Sequence, residues 1–195
     1  LAATNPFAFG EFEVFEGRNS YNVTKANIQN YFRELVLDLD AASLAFYFAE
    51  FAEYYCQENN DERMMLKLLY QSLRALESPH IPKELVKVVF ELKAITINGE
   101  GPEVFSCMKC HDKENLQFFS VQRGGMFCNK CVDGVPAMHV LDSTRYTMQY
   151  VISTPVEKLY SFTVSQEVLE ELKTIMQAYM AHYVHHEFKS LHIFG

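Results

Sequence analysis

Residues 107–131 read CMKCHDKENLQFFSVQRGGMFCNKC: two Cys-x-x-Cys pairs, Cys107/Cys110 and Cys128/Cys131, separated by 17 residues. At this separation two knuckles fold back on each other and present four thiolates tetrahedrally to one ion, and zinc is the expected ion. Four thiolates fill its coordination sphere and leave no position for water or substrate. The expected cofactor is therefore one structural Zn2+ that organises the fold. Between the pairs, Phe118-Phe119-Ser120-Val121 is strand-like and Arg123-Gly124-Gly125 turns the chain back, as a zinc hairpin requires. The competing reading, free or disulfide-paired thiols, suits an oxidising compartment, and no secretion signal opens the chain.

On either side of this module the chain has helical spacing. Residues 41–56 are apolar nearly all round, with Ser43, Glu50 and Glu53 the main interruptions, as befits a central helix of a bundle. A third helix is expected over 61–77, a fourth from Pro82 to about Ile97, a short one over 143–151, and a long one capped by Ser165. Ile28, Tyr31, Phe32, Leu35 and Leu39 also have helical spacing, with Thr24 as the expected N-cap of a first helix. Before it, residues 9–15 and 21–23 alternate around the turn at 16–20, a hairpin too small to stand alone. The fold expected is mainly α: a helical domain over 24–195 with the zinc module, 105–135, inserted within it.

The chain has 195 residues, 49% of them hydrophobic and 14% aromatic, enough for a substantial core and too apolar for a disordered tail. No run approaches the roughly eighteen apolar residues that a membrane-spanning helix needs. With four of its five cysteines in Cys-x-x-Cys pairs, the chain is expected in the cytoplasm, without a membrane partner. Its start has neither an initiator Met nor a leader, which reads as a chain lacking its natural beginning. Net charge is −8 and neither half is basic, which argues against strong non-specific DNA binding across the whole surface. Any DNA contact must rest on local patches. Lys109, Arg123 and Lys130, with Lys113, form one candidate patch on the zinc module beside Phe118 and Phe119. Asp112, Glu114, Asp133 and the dianionic metal centre favour the alternative of solvated charge there.

No constellation for covalent chemistry emerges, and the chain reads as a non-enzyme. His182, His185 and His186, at i, i+3 and i+4, are the one alternative: a zinc-dependent metalloenzyme with ligands on a helix face. Helix-end histidines that interact with the dipole and the terminal carbonyls explain the same pattern without metal. His185-x-Glu187 follows both Cys pairs, which is the wrong order for a zinc deaminase. Cys56 ends an apolar helix and reads as a core residue. A pure protein-interaction module is a further alternative that suits the acidic charge.

Asn5-Pro6-Phe7-Ala8, the Ala45–Phe51 helix, Phe90-Glu91-Leu92-Lys93, Gly99-Glu100-Gly101-Pro102, the two cysteine pairs joined through Gly124-Gly125, and Phe188-Lys189-Ser190-Leu191 together resemble, in order and spacing, the RecO family of bacterial recombination mediators. The resemblance covers nearly the whole chain. It implies an OB-fold whose carboxyl-terminal remnant is residues 1–23, followed by the helical domain with its zinc insertion. It also implies binding of single- and double-stranded DNA, contact with the acidic tail of single-stranded-DNA-binding protein, and work with RecR to load RecA recombinase, with strand annealing and a nucleoid-associated location. Arg18 and Lys25 are the candidate cations on the OB-fold remnant. Lys87, Phe90 and Lys93 are candidates for the partner-tail pocket, which the family places on the helical domain, where a cation beside an apolar cleft suits an acidic peptide with an apolar end. Two departures stand out: Val88 and Val89 precede Phe90 where some relatives carry Arg, and His111 replaces the usual Gly after the first cysteine pair.

Overall fold

A computed structural model describes residues 5–192; residues 1–4 and 193–195 lie outside the described residues. The chain opens with an antiparallel pair, β1 (Phe9–Glu16) and β2 (Tyr21–Asn30). Three helices follow: α1 (Leu39–Tyr55), α2 (Arg63–Leu76) and α3 (Lys83–Ile97). Next comes a small antiparallel sheet of β3 (Leu116–Ser120), β4 (Gly125–Cys128) and β5 (Met138–His139), with β3 in the middle. The helices α4 (Asp142–Ser153) and α5 (Gln166–Tyr183) complete the body.

Two of the five helices, α1 and α5, begin where a side chain satisfies one of their first N–H groups. Asp38 accepts from the N–H of Ala41 to open α1, and Ser165 accepts from Val168 to open α5. Helix α1 is the central element. Its Phe48 stacks on Phe90 of α3 at 4.0 Å, and Phe51 stacks on Phe188 at 5.1 Å with the rings nearly parallel. Buried residues from α1–α5, from β3 and β4 (Phe119, Met126 and Cys128 among them) and Cys107 of the loop before β3 form one continuous core. The cysteine module is therefore packed into the helical body.

The helix expected from Thr24 is instead strand β2, which continues to Asn30. The Thr24 hydroxyl caps no helix and donates to the Glu13 carbonyl across the pair, at 3.1 Å. Pairing along the eight residues of β1 outweighs a helical pattern made of only a few apolar positions. Gly10 sits at a bulge where any Cβ would lie 2.1 Å from the Asn27 carbonyl oxygen, so glycine alone lets the strands approach. Phe9 packs on Tyr70 and Phe7 on Phe46, which ties the hairpin's base to α2 and α1. Farther along, Phe15, Tyr21 and Val23 are exposed.

Candidate metal centre and partner groove

The four sulfurs of Cys107, Cys110, Cys128 and Cys131 lie within 4.8 Å of one another, and the Cys110 and Cys128 sulfurs are 3.7 Å apart. Local backbone geometry produces this convergence. The N–H of His111 donates to the Cys107 carbonyl and that of Cys107 to the Asp112 carbonyl, closing the first knuckle with His111 at φ 59°. That left-handed position is where a glycine would be unstrained. The second knuckle closes through the N–H of Cys131 to the Cys128 carbonyl. Glu103 holds the knuckles together: its N–H donates to Gly124 O and its carbonyl accepts from Met126, and a Cβ on Gly125 would lie 2.6 Å from that carbonyl oxygen.

The electrostatics of the cluster suit a cation. Burial opposes ionisation of Cys107, yet backbone N–H groups of Cys110, Cys128 and Lys109 aimed at its sulfur bring it down to about 6. Cys131 is pushed up to about 12 by burial and by its proximity to the other three sulfurs. Four thiols this close cannot all ionise without a positive ion among them. Among the described residues, this is the group of three or more metal-ligating side chains that closes up.

The three histidines do not form a second such group. Helix α5 ends at Tyr183, so only His182 is helical; its ring packs edge-on against Tyr183. His186 stacks on Tyr54 and faces the Glu50 carboxylate at 3.7 Å. Lys109, Lys113, Arg123 and Lys130 are exposed on the cysteine module, Arg18 is exposed in the hairpin turn, and Lys25 is paired with Glu13 at 2.9 Å. Of the two aromatics expected beside the cations of the cysteine module, Phe119 is fully buried and Phe118 is half-buried.

A groove of about 520 Å³ runs between α3 and α5, with residues 184–188 as its third wall. Val88, Met180, Val184 and Phe188 supply apolar surface, and Lys87 and Lys173 supply cations. Of the three residues expected at a partner pocket, only Lys87 lines this groove. Phe90 is fully buried against Phe48 and Phe51, and the Lys93 ammonium donates to the carbonyls of Ile152 and Thr154, both at 2.8 Å. Burial lowers the Lys93 pKa, so those two carbonyls hold an ammonium that water no longer solvates well. Lys173 is already engaged by Glu84 and Glu170. At the floor, Glu91 is buried beneath Lys87 and accepts the Tyr47 hydroxyl at 2.8 Å. Sequence reasoning missed the α5 and strap residues because they come from elements about a hundred residues from α3. The one signal for them was the Phe188-Lys189-Ser190 motif, which marks the strap.

A helical body with a packed-in four-cysteine cluster able to hold a metal ion, and a groove between α3 and α5, defines the class: a helical protein with an inserted cysteine-knuckle module. Residues 36–192 match the family described as recombination protein O, C terminal, and the chain belongs to this RecO family. It is 30% identical over 192 residues to the DNA repair protein RecO of Thermoanaerobacter sp., covering 96% of this chain and 76% of that protein. It is 28% identical over 183 residues to the DNA repair protein RecO of Acetivibrio thermocellus, covering 92% and 72%. To that of Alkaliphilus metalliredigens it is 27% identical over 197 residues, covering 99% and 80%.

Proposed function

We propose that this chain is a non-catalytic mediator of DNA repair and recombination. It binds single- and double-stranded DNA, takes the acidic tail of single-stranded-DNA-binding protein in the α3–α5 groove, and works with RecR to help load RecA, with strand annealing. The observation that carries this reading is the groove itself: an apolar trough with the Lys87 ammonium at its rim, in a member of a family whose relatives are named DNA repair proteins. An acidic peptide with an apolar last residue needs both features. The hairpin of β1 and β2 is read as part of an OB-fold, in keeping with the exposed Phe15, Tyr21 and Val23. The expected location follows from the partners: cytoplasm, at the nucleoid.

Zinc is the proposed ion at the four cysteines. With Zn–S bonds of about 2.3 Å, a tetrahedron has sulfur–sulfur edges of roughly 3.8 Å. The 3.7 Å separation of Cys110 and Cys128 already has that length. Bound there, zinc supplies a cross-link between the two knuckles.

The test is fluorescence anisotropy of a labelled peptide copying that acidic tail, titrated with the metal-loaded chain. Saturable binding is expected, weakened by salt and lost when the peptide's terminal apolar residue is removed. Lys87→Glu should weaken it at least about tenfold, or roughly 1.4 kcal/mol. A folded, metal-loaded chain that fails to bind at high micromolar concentration would sink the groove assignment.

A further inference from the structure

Helix α2 differs in charge from the rest of this acidic chain. Its fourteen residues, RMMLKLLYQSLRAL, contain no carboxylate, and Arg63, Lys67 and Arg74 share one stripe at i, i+4 and i+11. Two of the three are neutralised: Arg63 by Asp61, and Lys67 by Glu157 at 3.0 Å. Arg74 has no carboxylate partner among the described residues, and neither does Lys158. Both line a depression of about 270 Å³ between the end of α2 and the turn that follows α4. Its one carboxylate is Glu157, the acid held by Lys67.

The turn that presents Lys158 is firmly built. Val156 and Leu159 are buried, and the Tyr160 hydroxyl is bonded to Ser72 of α2. Tyr150 and Ser161 both donate to the Lys158 carbonyl, at 3.1 and 2.9 Å. The buried Lys93 ammonium fixes the carbonyls of Ile152 and Thr154 at the entry to the turn. Two exposed cations are thus held at the mouth of one depression, with Gln71 and Ser78 as further polar groups. Complementing the end of the α2 dipole accounts for Arg74 but not for Lys158, which belongs to another element.

We propose that this depression is a phosphate subsite for a nucleic-acid strand, with Arg74 and Lys158 as the contacting cations. The assignment rests on the reading of the chain as DNA-binding and says which face does it. Phosphate is the group that fits: the cations are exposed and charge-complementary to it, while the nearby aromatics are half-buried and engaged, Tyr70 beneath the Arg74 guanidinium and Tyr160 through its bond to Ser72. The stripe from Arg63 to Arg74 rises about 16 Å, so a backbone following it would pass all three α2 cations.

The test measures the affinity of the full, metal-loaded chain for a labelled oligothymidine and for a duplex of equal length, over a range of salt. Each phosphate contact contributes roughly 0.7 to the salt slope on single strands and 0.9 on duplex. The double variant R74A/K158A should therefore lose about 1.4 or 1.8 from the slope, with a fold confirmed by an unchanged thermal melt. R74K/K158R, which keeps both charges, should hold the slope. An R74A/K158A slope equal to that of the parent, with the parent binding DNA, overturns the subsite and leaves the DNA reading standing. A parent that binds neither oligonucleotide overturns both. Loss of acidic-peptide binding in R74A/K158A, with DNA binding intact, would assign the depression to a protein and overturn the proposal.

Discussion

Glu50 shows how one side chain sets the shape of the α3–α5 groove. It accepts the N–H groups of Lys189 and Ser190 and the Ser190 hydroxyl, at 3.0, 2.9 and 2.5 Å, and so latches residues 184–190 against α1. Burial works against its charge, but Ser190, Lys189 and His186 together bring its carboxyl from 4.5 down to about 2. A depressed folded-state value stabilises the fold above the unfolded value, and that stabilisation fades as pH falls from about 4.5 towards 2. Glu50→Gln should cost about 2 kcal/mol at pH 7, roughly 5 °C in melting temperature, and the gap between variant and parent should close near pH 2. A gap that stays constant with pH in calorimetry would deny the carboxylate this role. Glu91 has the opposite sign: burial raises its pKa, against the smaller effects of Lys87 and Tyr47. Its neutral form is favoured in the fold, so stability linked to it is lost as pH rises above the ordinary glutamate range. Glu91→Gln, which keeps an acceptor for the Tyr47 hydroxyl, should therefore gain in melting temperature relative to the parent as pH is raised from 4 to 8. Neither role was legible in the sequence. Glu50 lies 140 residues from Ser190, and no local pattern says that a helix glutamate faces a strap instead of water.

At the scale of elements, capping and periodicity carried most of the information. Ser165 caps α5 as read, and α2 and α3 begin and end within about two residues of their expected bounds. The cysteine spacing brought four sulfurs together because each knuckle closes through its own backbone, which is local information. Strand β2 was misread because Ile28, Tyr31 and Phe32 fit a helical repeat, while the determinant, pairing with β1, is a partner interaction that periodicity does not encode. The β-branched Val23, Thr24 and Ile28 were the available signal. Lys93 reads in the sequence as a cation of the partner-tail pocket, and its bonds to the Ile152 and Thr154 carbonyls are clear only once α4 is in place. Lys93→Met should leave the carbonyls of Ile152 and Thr154 without the ammonium and destabilise the chain by about 1–3 kcal/mol. Proteolysis should then cut first in residues 155–161, the turn those carbonyls anchor. Unchanged protease resistance there would show that the turn is held by Val156, Leu159 and Tyr160 alone.

Across the whole molecule, the core decides how far an event at the four-cysteine cluster travels. Cys107 and Cys128 are buried in the same cluster as Phe119, Tyr179 and the central helices. Polar contacts join the parts further. Tyr183 of α5 donates to the Val121 carbonyl, Tyr179 to the Glu100 carbonyl, and Gln149 of α4 to the Val104 carbonyl, all between 2.7 and 2.9 Å. A knuckle tethered only by linkers would melt by itself and leave the helices unchanged. Here the knuckle supplies part of the surface on which α5 packs, and α5 in turn forms one side of the groove. Removing the ion with a strong chelator should therefore lower the temperature of a single cooperative transition, seen together in far-ultraviolet dichroism and in tyrosine fluorescence. Peptide binding in the groove should weaken under the same treatment, although none of the four cysteines lines the groove. Cys128→Ser, which removes one buried ligand, should behave like the chelated chain and respond little to chelator. Two separate transitions after chelation, with the helical one at its original temperature, would show that the cysteine module and the helical body fold independently.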